Sequence, residues 1–139
     1  MSETKKEDLM TTSSSFVNGT KGELIYRGYD IRDLGPNATF EEVIYLLWND
    51  KLPNAHELSL FKAAIESKRA LPDLLLNTLR GFPWDAHPMA VLRTAVSALG
   101  LLDRNADNVT IEGAREKALL LTAIMPTIIA AWERVRNGH

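Results

Sequence analysis

The sequence predicts a mainly α-helical protein carrying one small N-terminal β-hairpin. Three observations carry that expectation. Apolar residues recur at three- and four-residue steps through most of the chain after Thr39. Capping residues stand in front of those periodic segments, as in Thr39-Phe40-Glu41-Glu42 and Asn54-Ala55-His56-Glu57. An Asn-Gly pair sits between two short apolar runs at Phe16-Val17 and Leu24-Ile25.

The chain is expected to begin with a mobile polar tail over residues 1–14, which is poor in apolar residues and ends in a Thr/Ser run. Residues 15–139 then form one unit. Asn18-Gly19-Thr20-Lys21-Gly22 is read as a five-residue hairpin connection, because Asn-Gly favours left-handed turn conformations. A hairpin alone is marginal, so it should lie on a helical body. Residues 28–35 read as a brief helical turn capped by Asp30 and stopped by Gly35-Pro36. A helix opened by Thr39 should bury Val43, Ile44, Leu46 and Leu47 and end near Asn49. The next, capped by Asn54, turns Leu58, Phe61 and Ile65 inward and runs to about Arg69. A short Leu-rich helix follows over residues 73–80, closed by Gly81.

Residues 87–100 form the best-defined segment. His87 caps it, Pro88 suits its first turn, and Gly100 marks the region of its end. Met89, Leu92, Val96 and Leu99 share one face, while Ala95 and Ala98 keep much of the surface small enough for close helix approach. Residues 103–108 read as a surface loop. Thr110 caps a last helix to about Asn137, apolar around most of its circumference, with a kink expected near Met125 because Pro126 removes a backbone bond. Such a helix must be buried between layers or by a second subunit.

Composition excludes several functions. Net charge is −2, with 16 basic residues scattered among 18 acidic ones, so no nucleic-acid footprint is present. With no cysteine there is no disulfide framework, thiol nucleophile or Cys-ligated zinc. No uninterrupted apolar run reaches a membrane span, and the polar N-terminus is no secretory signal, so a soluble cytoplasmic protein without a membrane partner is expected. His56, His87 and His139 lack the spacing of metal ligands. Glu41/Glu42 and Glu112/Glu116 fall at helix starts, where acids serve the helix dipole. Trp48, Trp84 and Trp132 are assigned to core or interface packing. No catalytic, cofactor-binding or metal-ligating residue is assigned, and no cofactor is called for.

Four runs, in order, give the chain a resemblance. They are residues 21–31 (Lys-Gly-Glu-Leu-Ile-Tyr-Arg-Gly-Tyr-Asp-Ile), Phe40-Glu41-Glu42-Val43 with Tyr45-Leu46-Leu47-Trp48, the segment from His87 to Gly100, and Pro126-Thr127-Ile128-Ile129-Ala130-Ala131. Together these resemble the N-terminal part of the citrate synthase family, which includes 2-methylcitrate synthase. The resemblance implies a helical large-domain portion of a dimeric acyltransferase that joins acetyl-CoA or propionyl-CoA to oxaloacetate and hydrolyses the thioester. In the family an Asp removes the α-proton, one His stabilises the enol and a second His assists at the ketone. Those residues lie in later segments of family members, so the chain is expected to be a catalytically incomplete fragment lacking the small domain.

What the resemblance leaves to this portion is assembly. The segments 88–100 and 111–137 are expected to form a homodimer interface, with Met89, Leu92, Ala95, Val96, Leu99, Leu121, Ile124, Ile128 and Trp132 as the candidate contact residues. Two alternatives accompany that expectation: a separately encoded subunit completed by a second chain that supplies the missing C-terminal part, and a non-enzymatic helical interaction protein.

Overall fold

The structure, a computed structural model, describes residues 12–139. Its elements run β1 (Ser15–Asn18), β2 (Glu23–Tyr26), β3 (Tyr29–Asp30), α1 (Ile31–Asn37), α2 (Phe40–Asn49), α3 (Ala55–Glu66), α4 (Asp73–Arg80), α5 (Pro88–Leu102) and α6 (Ile111–Arg136). The mainly α expectation holds. The chain divides into two compact units, one up to Phe61 and the other from Lys62 onward. Most of the tail expected over 1–14 lies outside the described residues. Ser13 and Ser14 are held, since Arg27 donates from Nη1 to Ser13 Oγ at 2.7 Å and from its amide to the Ser14 carbonyl at 3.1 Å.

In the first unit the strands form an antiparallel sheet in the order β1-β2-β3. Asn18 pairs with Glu23, so the first connection is one residue shorter than expected. A second hairpin replaces the expected start of the helical turn at residues 28–29, while Asp30 keeps its expected place as the cap. Tyr26 pairs with Tyr29 across Arg27-Gly28, and both turn residues have positive φ, 47° and 88°. That is the backbone of a type I′ turn, whose twist matches the strands it joins. An arginine is an unusual occupant of a left-handed position, at a cost of about 1–2 kcal/mol. Its side chain offsets the cost by closing on the end of α2: Nη2 donates to the Leu47 carbonyl at 3.2 Å, and Nε lies 2.7 Å from Asp50 Oδ1.

Asp30 caps α1, accepting from the Arg32 amide at 2.9 Å. The helix passes through Gly35-Pro36 rather than stopping there, and its end is set by the Ala38 amide bonding the Leu34 carbonyl. In a helix this short Pro36 forfeits little, and buried Leu34 anchors the turn. Thr39 and Glu42 form the expected reciprocal cap of α2. Asn54 and Glu57 do the same for α3, at 2.9 Å each way. On α2, Ile44 and Leu46 are buried while Val43 and Leu47 are half-buried. Phe61 meets Tyr45 and Trp48 edge-on, with centroids 5.4 and 5.8 Å away.

The second unit is a helical core. Leu75 and Leu79 of α4, Val91, Ala95 and Leu99 of α5, and Ile124, Ile128 and Trp132 of α6 form one buried cluster. Leu79 and Ala95 are completely buried in it, and the single methyl of Ala95 permits close helix packing. α5 continues past Gly100 to Leu102, because a lone glycine inside an otherwise apolar helix costs only about 1 kcal/mol. α6 is helical on both sides of Pro126. Against the expectation that no membrane-length segment exists, α6 is long and apolar enough to span a bilayer by length and composition. Its Ala123, Ile124, Ile128 and Trp132 are buried, and 22% of its most apolar stretch is buried in all.

The 103–108 loop is fastened to α6. Lys117 donates from Nζ to the carbonyls of Ala106 and Asn108 at 2.7 and 2.6 Å. Thr110 caps the helix through the Gly113 amide, and Gly113 is buried against Asn108. A Cβ at Gly113 would lie 2.7 Å from Asn108 Cγ and 2.9 Å from its carbonyl oxygen, whereas one at Gly100 would meet open space. Gly113→Ala is therefore expected to lose about 1–3 kcal/mol of stability through overpacking, despite better helix propensity. Gly100→Ala should gain up to about 1 kcal/mol. Urea denaturation of the two variants would show opposite signs.

Candidate functional site: the outer faces of two apolar helices

Among the described residues Lys68, Asp103, Glu116 and Lys117 line one cavity of about 150 Å³ beside the 103–108 loop, and no histidine lines it. His56, His87 and His139 are all exposed. His87 does what its position suggests, its Nδ1 accepting from the Met89 amide at 3.2 Å as the α5 cap. Among the described residues no group of three or more His, Asp or Glu is placed to hold a metal ion. The shifted carboxyls belong to surface pairs. The Asp30 carboxyl is held below its usual range by the Arg32 amide first and the guanidinium second. Glu57 is lowered by its hydrogen bond from Lys51 and then by the Asn54 amide, and Lys51 is raised in return. These interactions position chain ends rather than activate a proton carrier.

The tryptophans separate into three environments. Trp48 is half-buried beside Phe61, and Trp84 is 75% exposed. Trp132 is buried against Phe82 with ring centroids 6.3 Å apart, its indole Nε1 without an acceptor among the described residues.

The nine candidate interface residues also separate. Ala95, Leu99, Ile124, Ile128 and Trp132 belong to the chain's own buried core, so they build the helical pair rather than line its outside. Leu92, Val96 and Leu121 are half-buried at the margin of that core. Met89 alone of the nine is well exposed, at 64%. The periodic pattern did locate the helices, but helical spacing cannot distinguish a face covered by the same chain from one turned outward. Exposed apolar residues outside that set are Ile129, 56% exposed, and Met125, one turn before it on the outer side of α6. Their signal was present: on a helix apolar all round, whatever the core leaves uncovered is an apolar outer face. Met89 and Ile129 come together at a cavity of about 130 Å³ that Pro88, Leu92, Ile128 and Trp132 also line. A second cavity of about 180 Å³ lies between the end of α5 and α6, walled by Val96, Leu99, Leu120 and Leu121. Both are mainly apolar recesses suited to packing, the second with Asp103 and Lys117 at its edge.

Arg27 is the other residue that sequence reasoning did not single out as a tie. Nothing local announces that an arginine will take a left-handed turn position, since its partners Leu47 and Asp50 lie at the far end of α2.

A helical scaffold with an apolar outer surface is thus the class that the geometry defines. A family model described as "Citrate synthase, C-terminal domain" matches residues 4–139. Citrate synthase 2 of Bacillus subtilis is 43% identical over 133 residues, covering 95% of this chain and 36% of that protein. The 2-methylcitrate synthase of Mycobacterium tuberculosis is 39% identical over 128 residues, covering 92% and 32% respectively. The crystal structure of citrate synthase from Pyrobaculum aerophilum superposes with a TM-score of 0.84 at 33% identity, over 94% of this chain and 35% of that one. The chain belongs to the citrate synthase family and spans about a third of the length of these relatives.

The environment of Trp132 yields a test of the core. Trp132→Phe removes the unpaired indole donor and keeps a ring beside Phe82, so it should cost about 1 kcal/mol or less. Trp132→Ala should cost about 3–5 kcal/mol. Equal losses in urea titrations would show that the indole N–H has a partner after all.

Proposed function

We propose that this chain is the N-terminal, dimer-forming portion of a cytoplasmic citrate synthase-type acyltransferase, and that condensation of an acyl-CoA with oxaloacetate needs residues beyond those it contains. The single observation behind this is the contrast between coverage and chemistry. The family match extends over nearly all of the chain, yet the chain is about a third as long as its relatives. Its histidines are dispersed and exposed, and its shifted carboxyls are committed to surface pairs.

The dimer part of the proposal is supported by the outer faces of α5 and α6. Met89 and Ile129 place apolar side chains in solvent around a recess, with exposed Met125 one turn earlier on α6, on helices whose opposite sides already form a core. An exposed patch of this kind is the usual sign of an interaction surface. The interface is therefore assigned to these outward residues and to half-buried Leu92, with the other candidates supporting it from behind.

Two measurements test the reading. Release of free CoA from acetyl-CoA or propionyl-CoA with oxaloacetate should stay at the uncatalysed rate for the pure chain, and turnover would overturn the assignment of the chemistry to other residues. In sedimentation equilibrium the chain should dimerise. Ile129→Glu should weaken association by about 2 kcal/mol or more, roughly thirtyfold, with its helical circular dichroism unchanged. A chain that stays monomeric, or a variant that associates as tightly as the parent, would remove the interface from α6.

A further inference from the structure

The sequence contains two Asn-Gly pairs, Asn18-Gly19 and Asn137-Gly138. In both, glycine leaves the following amide nitrogen sterically free to attack the asparagine side chain. From sequence alone the two are equivalent sites of deamidation. The structure separates them.

At Asn137 both reacting groups are engaged. Nδ2 donates to the Glu133 carbonyl at 2.7 Å and to Glu133 Oε1 at 3.0 Å. The attacking nitrogen, that of Gly138, donates to the Val135 carbonyl at 3.1 Å in the closing turn of α6. At Asn18 the arrangement is the reverse. Oδ1 accepts from the Lys21 amide at 3.2 Å, which draws electron density from the side-chain carbonyl carbon. Nδ2 keeps only a contact at the limit of hydrogen bonding, 3.5 Å from Glu23 Oε2. Gly19 is exposed, and its amide donates no hydrogen bond among the described residues.

We infer that Asn18 is a built-in site of spontaneous deamidation in the folded protein, and that the fold protects Asn137. The Gly19 nitrogen, deprotonated by hydroxide, attacks Cγ of Asn18. The Cγ–Nδ2 bond breaks, ammonia leaves with a proton from water, and a cyclic imide remains. Water then opens the imide at either carbonyl, giving aspartate or isoaspartate. No other reactant is needed. The consequence falls on the hairpin, because Asn18 is paired with Glu23. An aspartate there sets two carboxylates directly opposite each other, and an isoaspartate lengthens the backbone and breaks the register.

The test is to incubate the protein at mildly alkaline pH, folded and in urea, and to follow conversion at each asparagine by peptide mass spectrometry. The ratio of the Asn18 rate to the Asn137 rate should be several-fold higher in the folded protein than in urea, and the Asn18 rate should rise with pH. Gly19→Ala should slow Asn18 several-fold and leave Asn137 unchanged. That variant is tolerated sterically, since a Cβ at Gly19 meets open space and its φ is outside the left-handed region. A rate ratio no higher in the folded state than in urea would overturn the inference.

Discussion

The close packing around Ala95 is the constraint on which the second unit depends. Ala95 is fully buried on α5, in one cluster with Leu79 of α4 and Ile124 and Ile128 of α6. A larger side chain there would force these helices apart and open the core they share, since interiors are packed to crystal-like density. The small residue on the inner side has a counterpart in the large ones outside. Because α5 and α6 meet through a narrow inner face, apolar residues elsewhere on their circumference have nowhere within the unit to go, and Met89 and Ile129 stand in solvent.

How much of this was legible follows from the range of each signal. The helices were readable because their caps are local. Thr39 with Glu42, Asn54 with Glu57, His87 and Thr110 each satisfy a backbone donor within three residues, and the sequence shows both partners together. The second hairpin was not legible. Its turn places Arg27 at positive φ, which no propensity favours, and the compensation comes from Leu47 and Asp50, some twenty residues away in sequence. Gly113 is a similar case. Its need for a missing side chain arises from Asn108, folded back across the start of α6. The orientation of α5 and α6 was half legible: periodicity located the helices, and only the packed structure divided Val91, Ala95 and Leu99 from Met89.

Two side-chain cations tie down irregular segments of the chain. Arg27 gathers the beginning of the sheet and the end of α2 through a carbonyl, a carboxylate and a hydroxyl. Lys117 donates to two loop carbonyls, those of Ala106 and Asn108, and so ties the 103–108 turn to α6. The Arg27 side chain satisfies one backbone carbonyl and Lys117 satisfies two, acceptors with no backbone donor of their own among the described residues. The Asp-rich composition of the 103–108 loop thus serves turn formation, with Asp103 Oδ1 accepting from the Asn105 amide.

These features bear on the proposal that the chain contributes assembly and that the chemistry needs further residues. Proton transfer at an unactivated carbon requires a base whose affinity is tuned by burial or by a charged neighbour in a cleft. The shifted carboxyls here are tuned by partners that also neutralise them: Arg32 for Asp30, Lys51 for Glu57. Such pairs stabilise the charged form and make the carboxylate a weaker base, the opposite of what enolisation needs. The recesses near α5 and α6 are walled mainly by apolar side chains, with Asp103 and Lys117 at the edge of one and Trp132 in the other. What those helices do supply is a preformed apolar surface on a rigid core. A partner that covers it gains hydrophobic burial without paying to order the helices beneath.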